Sequence, residues 1–406
     1  IHHIQKYKSF LFIILWDAKR VAAKNPSTFT LRKRKKMWPI CYRLLWNIFY
    51  WVEFFNLFLA VLLESVNMVQ TVIEGSLMDL FLMMPCVGYI VLAMAKSYKI
   101  VNYRPVFENL VNELRDMWPL QEVTEEEHLV LSKSLKKLRY ISKGYFWCNI
   151  TLNTFFTSPP FVNIVKRLFG KDVPLILSFF YWLPFDPYQR GFYEIVLGLQ
   201  TWHCSLTALI MLASDMLYCV LLSHITIQFD LLAIRITKMF QVSVDNQLVP
   251  SYPLGKLFLG YSFLEYEQSV ELAKIITKHR ALIRLSMDVE NMLTFSLLLN
   301  FLNSSIIICF CGFCVVFVEK WNEMIYKLFL VTATAQIWLL CWYGQRLLDA
   351  SAGISDALYN SGWYTASNKI KKCILIMIHR SQKQVCLTTY GFSIISLSSY
   401  STVSFF

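Results

Sequence analysis

Charge is what this sequence has least of. Only 16% of its 406 residues are Asp, Glu, Lys or Arg, while 56% are hydrophobic; a soluble domain carries about 25% charged and about 45–50% apolar residues. That balance excludes a disordered chain, which could not bury so much apolar surface, and leaves little room for a soluble enzyme of two or three domains. Catalytic signatures are lacking as well. The seven histidines, His2, His3, His128, His203, His224, His279 and His379, form no His-Glu-x-x-His or other ligand spacing. There is no Gly-rich phosphate loop and no Gly-x-Ser-x-Gly, so the chain reads as a non-enzyme without cofactor or metal. Cys309, Cys311 and Cys314 come nearest to a metal cluster. On a helix, positions i and i+2 point to nearly opposite sides, so only Cys311 and Cys314 share a face and core packing is the better reading. A disulfide framework is missing too: Cys86, Cys148, Cys204, Cys219 and Cys341 lie in or beside apolar runs, where thiols behave as small hydrophobes. No cleavable signal peptide is visible, because the apolar run 10–16 is short and is followed by Asp17, Lys19 and Arg20. No internal repeat supports an inverted-repeat transporter.

Aromatic and aliphatic residues take the place of charge. With 31 Phe, 21 Tyr and 12 Trp, the chain reads as an all-α membrane protein with a lipid bilayer as its solvent. Seven candidate spans cover about 41–63, 77–95, 144–164, 192–221, 292–318, 326–345 and 387–406. Pro159 and Pro160 are expected to end or kink the third. Glu194, His203 and Asp215 interrupt the fourth, which reads as a tilted helix continuing beyond the bilayer. The net charge of +12 is unevenly spread. Segments 1–43, 96–143, 222–291 and 346–384 hold 11, 9, 7 and 6 Lys and Arg, while 64–76, 162–191, 319–327 and 387–406 hold none, four, two and none. By the positive-inside rule the N-terminus is cytoplasmic and the C-terminus extracellular. The excess of basic charge is therefore a topology signal and does not call for nucleic acid.

The first group of segments carries helices of its own. Thr124 with Glu127 matches a capping box, after which Leu131, Leu135, Leu138 and Ile141 recur at helical spacing. Cys373–Ile378 is strongly apolar but too short to span and is flanked by Lys369, Lys371, Lys372 and Arg380. It reads as an anchor helix buried against other cytoplasmic helices, with Trp363, Ile374, Met377 and Gln382 as its contact residues. Residues 1–345 thus form the N-terminal segment and a ligand-binding bundle of six helices, and 346–406 form the anchor and the last helix.

That last span is uncharged, yet nine of its twenty residues are Ser or Thr. Such hydroxyls either pack against neighbouring helices or line water. The second option gives a neutral, hydroxylated cation pore built from several copies of the helix. Ser393, Ser396, Ser399, Tyr400 and Val403 are its candidate lining. An ion-coupled transporter would want several acids deep in the bilayer. Only Glu53 and Asp215 qualify, and neither has an obvious basic partner in the sequence. The triplets at Asn149 and Asn303 fit N-glycosylation by pattern but fall inside spans. Across the outer halves of the spans, Met83, Met84, Phe155, Phe156, Tyr193, Trp202, Thr207, Phe310, Phe313, Phe329 and Thr332 offer an adaptable lining for a small apolar ligand with one or two hydrogen-bonding groups. The same residue types also pack any membrane bundle.

From about 343 onward the sequence carries Tyr343-Gly344, Ala357-Leu-Tyr359-Asn-Ser361, Trp363, the basic run Lys369–Lys372, Arg380-Ser381-Gln382-Lys383, Leu387-Thr388, Gly391 and Ile395-Ser396-Leu397. With these residues it resembles the insect odorant receptors. Gln384 stands where the family usually has Pro. A second match is Trp182-Leu-Pro184-Phe185-Asp186, and the Thr-Tyr…Gln-Phe ending usual in gustatory receptors is not seen. The resemblance implies a tuning subunit of an odorant-gated, non-selective cation channel in the plasma membrane of olfactory sensory neurons. It further implies a hetero-tetramer with the odorant co-receptor (Orco), a volatile odorant or pheromone in the outer bundle, and a pore lined by the last helix. Ile1 in place of Met and the end at Phe406 lead to the expectation of a partial sequence with a truncated last helix. The alternatives are a metabotropic seven-helix chemoreceptor and a transporter.

Overall fold

The computed structural model describes residues 40–118, 124–189, 191–240, 254–317 and 323–405. Among these the chain forms nine α-helices: α1 (Ile40–Ile73), α2 (Leu77–Asn102), α3 (Arg104–Asp116), α4 (Glu125–Leu168), α5 (Phe192–Lys238), α6 (Leu254–Phe317), α7 (Glu323–Tyr359), α8 (Asn368–Ser381) and α9 (Leu397–Phe405). The first six candidate spans each fall within one helix, save that 318 lies outside the described residues. Four helical stretches are long and apolar enough to cross a membrane: Leu44–Ile73, Met83–Asn102, Phe192–Lys238 and Glu265–Phe313. This is a helical membrane fold. The basic segment 1–39 and the side chains of Asp79 and Cys314 lie outside the described residues.

Helix ends follow local chemistry. α1 stops at Gly75, whose φ is 80°; the amides of Gly75 and Ser76 bond the Val72 and Thr71 carbonyls at 3.2 Å, the Schellman arrangement that only a residue tolerant of left-handed φ completes without strain. α4 ends the same way at Gly170. At its start the expected capping box is present: the Glu127 amide bonds the Thr124 hydroxyl at 3.4 Å, and the Thr124 amide donates to the Glu127 carboxylate at 3.1 Å. Pro159 and Pro160 do not end this helix, which runs on to Leu168.

We call upper the end of the bundle where α1 and α4 finish and α5 starts, and lower the opposite end. α1 lies at the periphery. Leu44, Ile48, Val52, Phe55, Leu59, Leu62, Val66 and Val69 are exposed at helical spacing, an apolar stripe suited to lipid. α5 is central. At 47 residues it is about 70 Å long, beyond any bilayer, as expected for the fourth span. Its lower half is buried almost all round against α4, α6 and α7, with Leu222, Ile225, Phe229 and Leu232 in the main core. Leu131 and Leu135 of α4 meet Ile227 and Leu231 of α5, and the ion pairs Glu127–Arg235 at 3.2 Å and Glu126–Lys238 at 2.8 Å close the lower end of that seam. α8 buries Ile370, Ile374 and Met377, while Trp363 is half-buried against the same core. Gln382 is exposed.

The last span differs from its expected form. Its helix begins at Leu397, ten residues after the expected start at 387. Residues 387–395 instead fold into a hairpin, with a bridge between Thr388 and Ile394 and the Ile395 amide on the Leu387 carbonyl at 2.9 Å. The turn has positive φ at both Tyr390 (53°) and Gly391 (79°), a pairing typical of type I′ turns.

Candidate functional site

Two cavities lie within the bundle. The upper one is lined by Cys86, Tyr89 and Ile90 of α2, Asn149, Leu152, Asn153 and Phe156 of α4, Cys204, Thr207 and Ala208 of α5, Phe329 of α7, and Phe179. Four rings shape it. Phe156 meets Phe179 at 5.0 Å between ring centres and Phe329 edge-on at 5.8 Å, and Tyr89 meets Phe329 edge-on at 6.0 Å, geometries that aromatic quadrupoles favour.

Phe179 comes from the connection between α4 and α5, which folds back into the bundle. The fully buried Gln200 holds it there: its Oε1 accepts the amides of Ser178 at 2.9 Å and Phe179 at 3.1 Å, and its Nε2 donates to the Phe179 carbonyl at 2.9 Å. Two residues on, the Tyr181 hydroxyl bonds His203 Nδ1 at 2.9 Å, and His203 Nε2 lies 3.1 Å from Asn56 Oδ1. The Trp182 amide reaches the Leu63 carbonyl of α1 at 3.2 Å. A connecting segment thereby becomes a cavity wall.

Below this cavity sits a buried polar centre. Asp215 of α5 accepts from Lys96 of α2 at 2.5 Å, Tyr145 of α4 at 2.7 Å and Gln336 of α7 at 2.9 Å, and Gln336 also donates to Asn300 of α6 at 3.1 Å. The sequence reading gave Asp215 no basic partner; the fold supplies Lys96, from a different span. Tyr89 and Asn149 connect this centre to the upper cavity: the Tyr89 hydroxyl reaches Asn149 Oδ1 at 3.4 Å, and Asn149 Nδ2 donates to the Tyr145 carbonyl at 2.9 Å. A lower cavity adjoins the centre, with Lys96, Asp215, Ser296 and Asn300 in its wall. Glu53, the other acid singled out in the sequence, is half-buried and accepts from Trp202 Nε1 at 2.9 Å.

Of the eleven candidate ligand residues, Phe156, Thr207 and Phe329 line the upper cavity. Thr332 is buried one turn below Phe329, with its hydroxyl 3.5 Å from Cys148 Sγ. Met83 is buried on α2 beside Asn67, and Met84 and Phe310 are half-buried. Tyr193 is buried and donates to the Ile176 carbonyl at 2.9 Å. Phe155, Trp202 and Phe313 are exposed on the outside of the bundle. Helical rotation explains the split, since Phe155 and Phe156 are adjacent and point about 100° apart. Tyr89, Asn149 and Phe179 escaped the sequence reading of the ligand cavity because the residues they meet lie far along the chain.

The hairpin before α9 is held between two helices. Thr388 donates to Glu290 of α6 at 2.6 Å, and Thr294 of α6 bonds the Thr388 carbonyl at 2.9 Å and the Tyr390 amide at 2.8 Å. On the other side Gly344 of α7 allows close contact, because a Cβ there would stand 2.5 Å from the Ile395 carbonyl oxygen. Gln345 Oε1 then takes the Leu397 amide at 3.4 Å. Among the pore candidates, Ser393 is exposed, and Ser396 and Ser399 are half-buried. Ser399 Oγ lies 3.2 Å from Ser393 Oγ and 3.3 Å from Ser396 Oγ. Tyr400 packs on the main core, and the Val403 side chain lies outside the described residues.

A family model described as 7tm Odorant receptor matches residues 76–406. Odorant receptor 85b of Drosophila melanogaster is 26% identical over 351 residues, covering 84% of this chain and 83% of that protein. Odorant receptor 67c of the same species is 27% identical over 365 residues, covering 89% and 85%. Among solved structures, the insect olfactory receptor OR5 from Machilis hrabei in complex with eugenol superposes with a TM-score of 0.76 at 16% identity, over 99% of this chain and 95% of that one.

Proposed function

The chain belongs to the 7tm odorant receptor family, and on that premise we propose that it is an odorant-gated, non-selective cation channel subunit. It assembles with the odorant co-receptor as a hetero-tetramer in the plasma membrane of olfactory sensory neurons, with seven spans and a cytoplasmic N-terminus. A small volatile odorant or pheromone occupies the upper cavity, and the last helices of the four subunits line the pore. α8 and the lower halves of α4 to α7 act as the cytoplasmic anchor.

One observation carries the reading: α7 touches both ends of the mechanism. Phe329 is in the cavity wall, and Gly344 and Gln345 hold the hairpin that leads into α9. Fifteen residues of continuous helix, about 22 Å, separate them, so a ligand that moves Phe329 tilts the seat of the last helix. An aromatic, uncharged cavity wall supports an apolar ligand over an ionic one, and a hydroxylated α9 supports a wall that discriminates little among cations.

The test is heterologous expression with the co-receptor. An odorant-evoked current that persists with GDP-β-S in the recording pipette supports a channel opened directly by ligand. A response abolished by GDP-β-S contradicts it and favours a metabotropic receptor.

A further inference from the structure

Threonines on apolar helices commonly donate their hydroxyl to the carbonyl four residues earlier. Thr71, Thr201 and Thr332 do so here, each at 2.8 Å. Thr207 does not. It is 2% exposed, lines the upper cavity from α5, and its Oγ1 has no hydrogen-bond partner among the described residues. Asn153 lines the same cavity from α4, and its Oδ1 is likewise buried without a partner. Asn149, one turn earlier on α4, is satisfied through Tyr89 and the Tyr145 carbonyl. The rest of the wall is aromatic rings, aliphatic groups and the weakly polar thiols of Cys86 and Cys204, with no charged residue. A buried polar atom left unpaired is costly, and a ligand that pairs it recovers that cost on binding.

We propose that Asn153 and Thr207 form the polar recognition pair of this cavity, and that the receptor is tuned to compact neutral alcohols or phenols. This rests on the reading of the upper cavity as the odorant site. A hydroxyl both donates and accepts, so one group on the ligand serves Asn153 Oδ1 as donor and Thr207 Oγ1 as acceptor. A carbonyl odorant serves Thr207 alone and leaves Asn153 Oδ1 unpaired; a hydrocarbon serves neither. An ammonium would give up its hydration with no carboxylate in the wall to replace it. The four rings select for a compact body, and the pair selects for its single polar end.

The test compares matched triplets, benzyl alcohol with benzaldehyde and toluene, and hexanol with hexanal and hexane, on cells expressing this chain with the co-receptor. At least one alcohol should act at roughly tenfold lower concentration than its aldehyde, the gain expected from one additional hydrogen bond in a dry site, with the hydrocarbon weakest. Asn153→Leu, confirmed at the surface by labelling, should bring the alcohol to the aldehyde's potency; Thr207→Val, likewise confirmed, should weaken alcohol and aldehyde alike, and Thr207→Ser should leave both as in the parent. Equal potency across the triplets in the parent receptor, a preference that survives Asn153→Leu, or a Thr207→Val variant as sensitive as the parent overturns the inference and leaves odorant gating intact. Silence to every compound with both subunits at the surface overturns the gating reading itself.

Discussion

Lys96 and Asp215 show how a single residue can be misread from sequence and corrected by the fold. Asp215 stood out as an acid in a membrane span, but Lys96 looked like the first charge of a loop. Their pairing joins residues 119 apart, and hydropathy does not reveal which faces of α2 and α5 meet. Both side chains are at most 5% exposed, so removing one partner leaves an uncompensated charge. Lys96→Met should lower stability by about 3–5 kcal/mol, while Lys96→Met/Asp215→Leu should recover part of that because a buried pair replaced by apolar groups costs much less. Thermal unfolding of detergent-purified receptor checks both; a single variant as stable as the parent would show the pair to be energetically idle. Phe156, Thr207 and Phe329 were legible because Met, aromatic and hydroxyl residues in the outer halves of spans are the usual lining of an apolar cavity. Asn153 was not, since nothing local distinguishes an asparagine facing a cavity from one facing a neighbouring helix.

Legibility of the elements depended on how local their causes are. The Thr124–Glu127 capping box was visible because its two partners are three residues apart. Thr124→Ala should cost about 1 kcal/mol, measured by thermal unfolding. Burial pushes the Glu127 carboxyl up, but the Thr124 amide and the Arg235 guanidinium outweigh it and hold it below its ordinary 4.5. A carboxyl lowered in the folded state stabilises at neutral pH, and that contribution is lost as pH falls through the carboxylate range. Glu127→Gln should therefore lose stability at pH 7 and approach the parent at pH 4. The hairpin at 387–395 had a local sign, Tyr390-Gly391, but a charge-free run of twenty residues outweighed it. Its attachments to Glu290 and Thr294 lie 94–98 residues away. Gly344→Ala should displace the Ile395 carbonyl and cut the maximal odorant-evoked current several-fold, with the amount at the surface unchanged. A full-sized current would mean that this contact does not seat α9.

At the scale of the whole molecule, composition alone established the membrane class, because so little charge and so much apolar surface admit few other solvents. Six of the seven expected spans fall in helices of the right position. The sequence showed a helix starting at Thr124 and a fourth span running past the bilayer, but not that α4 to α7 each continue without a break to the lower end, where residues far apart in the chain bury one another. The orientation we propose rests on the uneven spread of Lys and Arg, and an N-terminal tag should stain only after permeabilisation. The central claim is that this chain lines a pore which opens when the upper cavity is filled. Its most direct test is Ser399→Cys, expressed with the co-receptor and exposed to a charged methanethiosulfonate during odorant application. The current should be blocked irreversibly, faster with odorant than without, while the parent chain is unaffected. Odorant-evoked currents equally insensitive to the reagent in variant and parent, at normal surface levels, would contradict the claim.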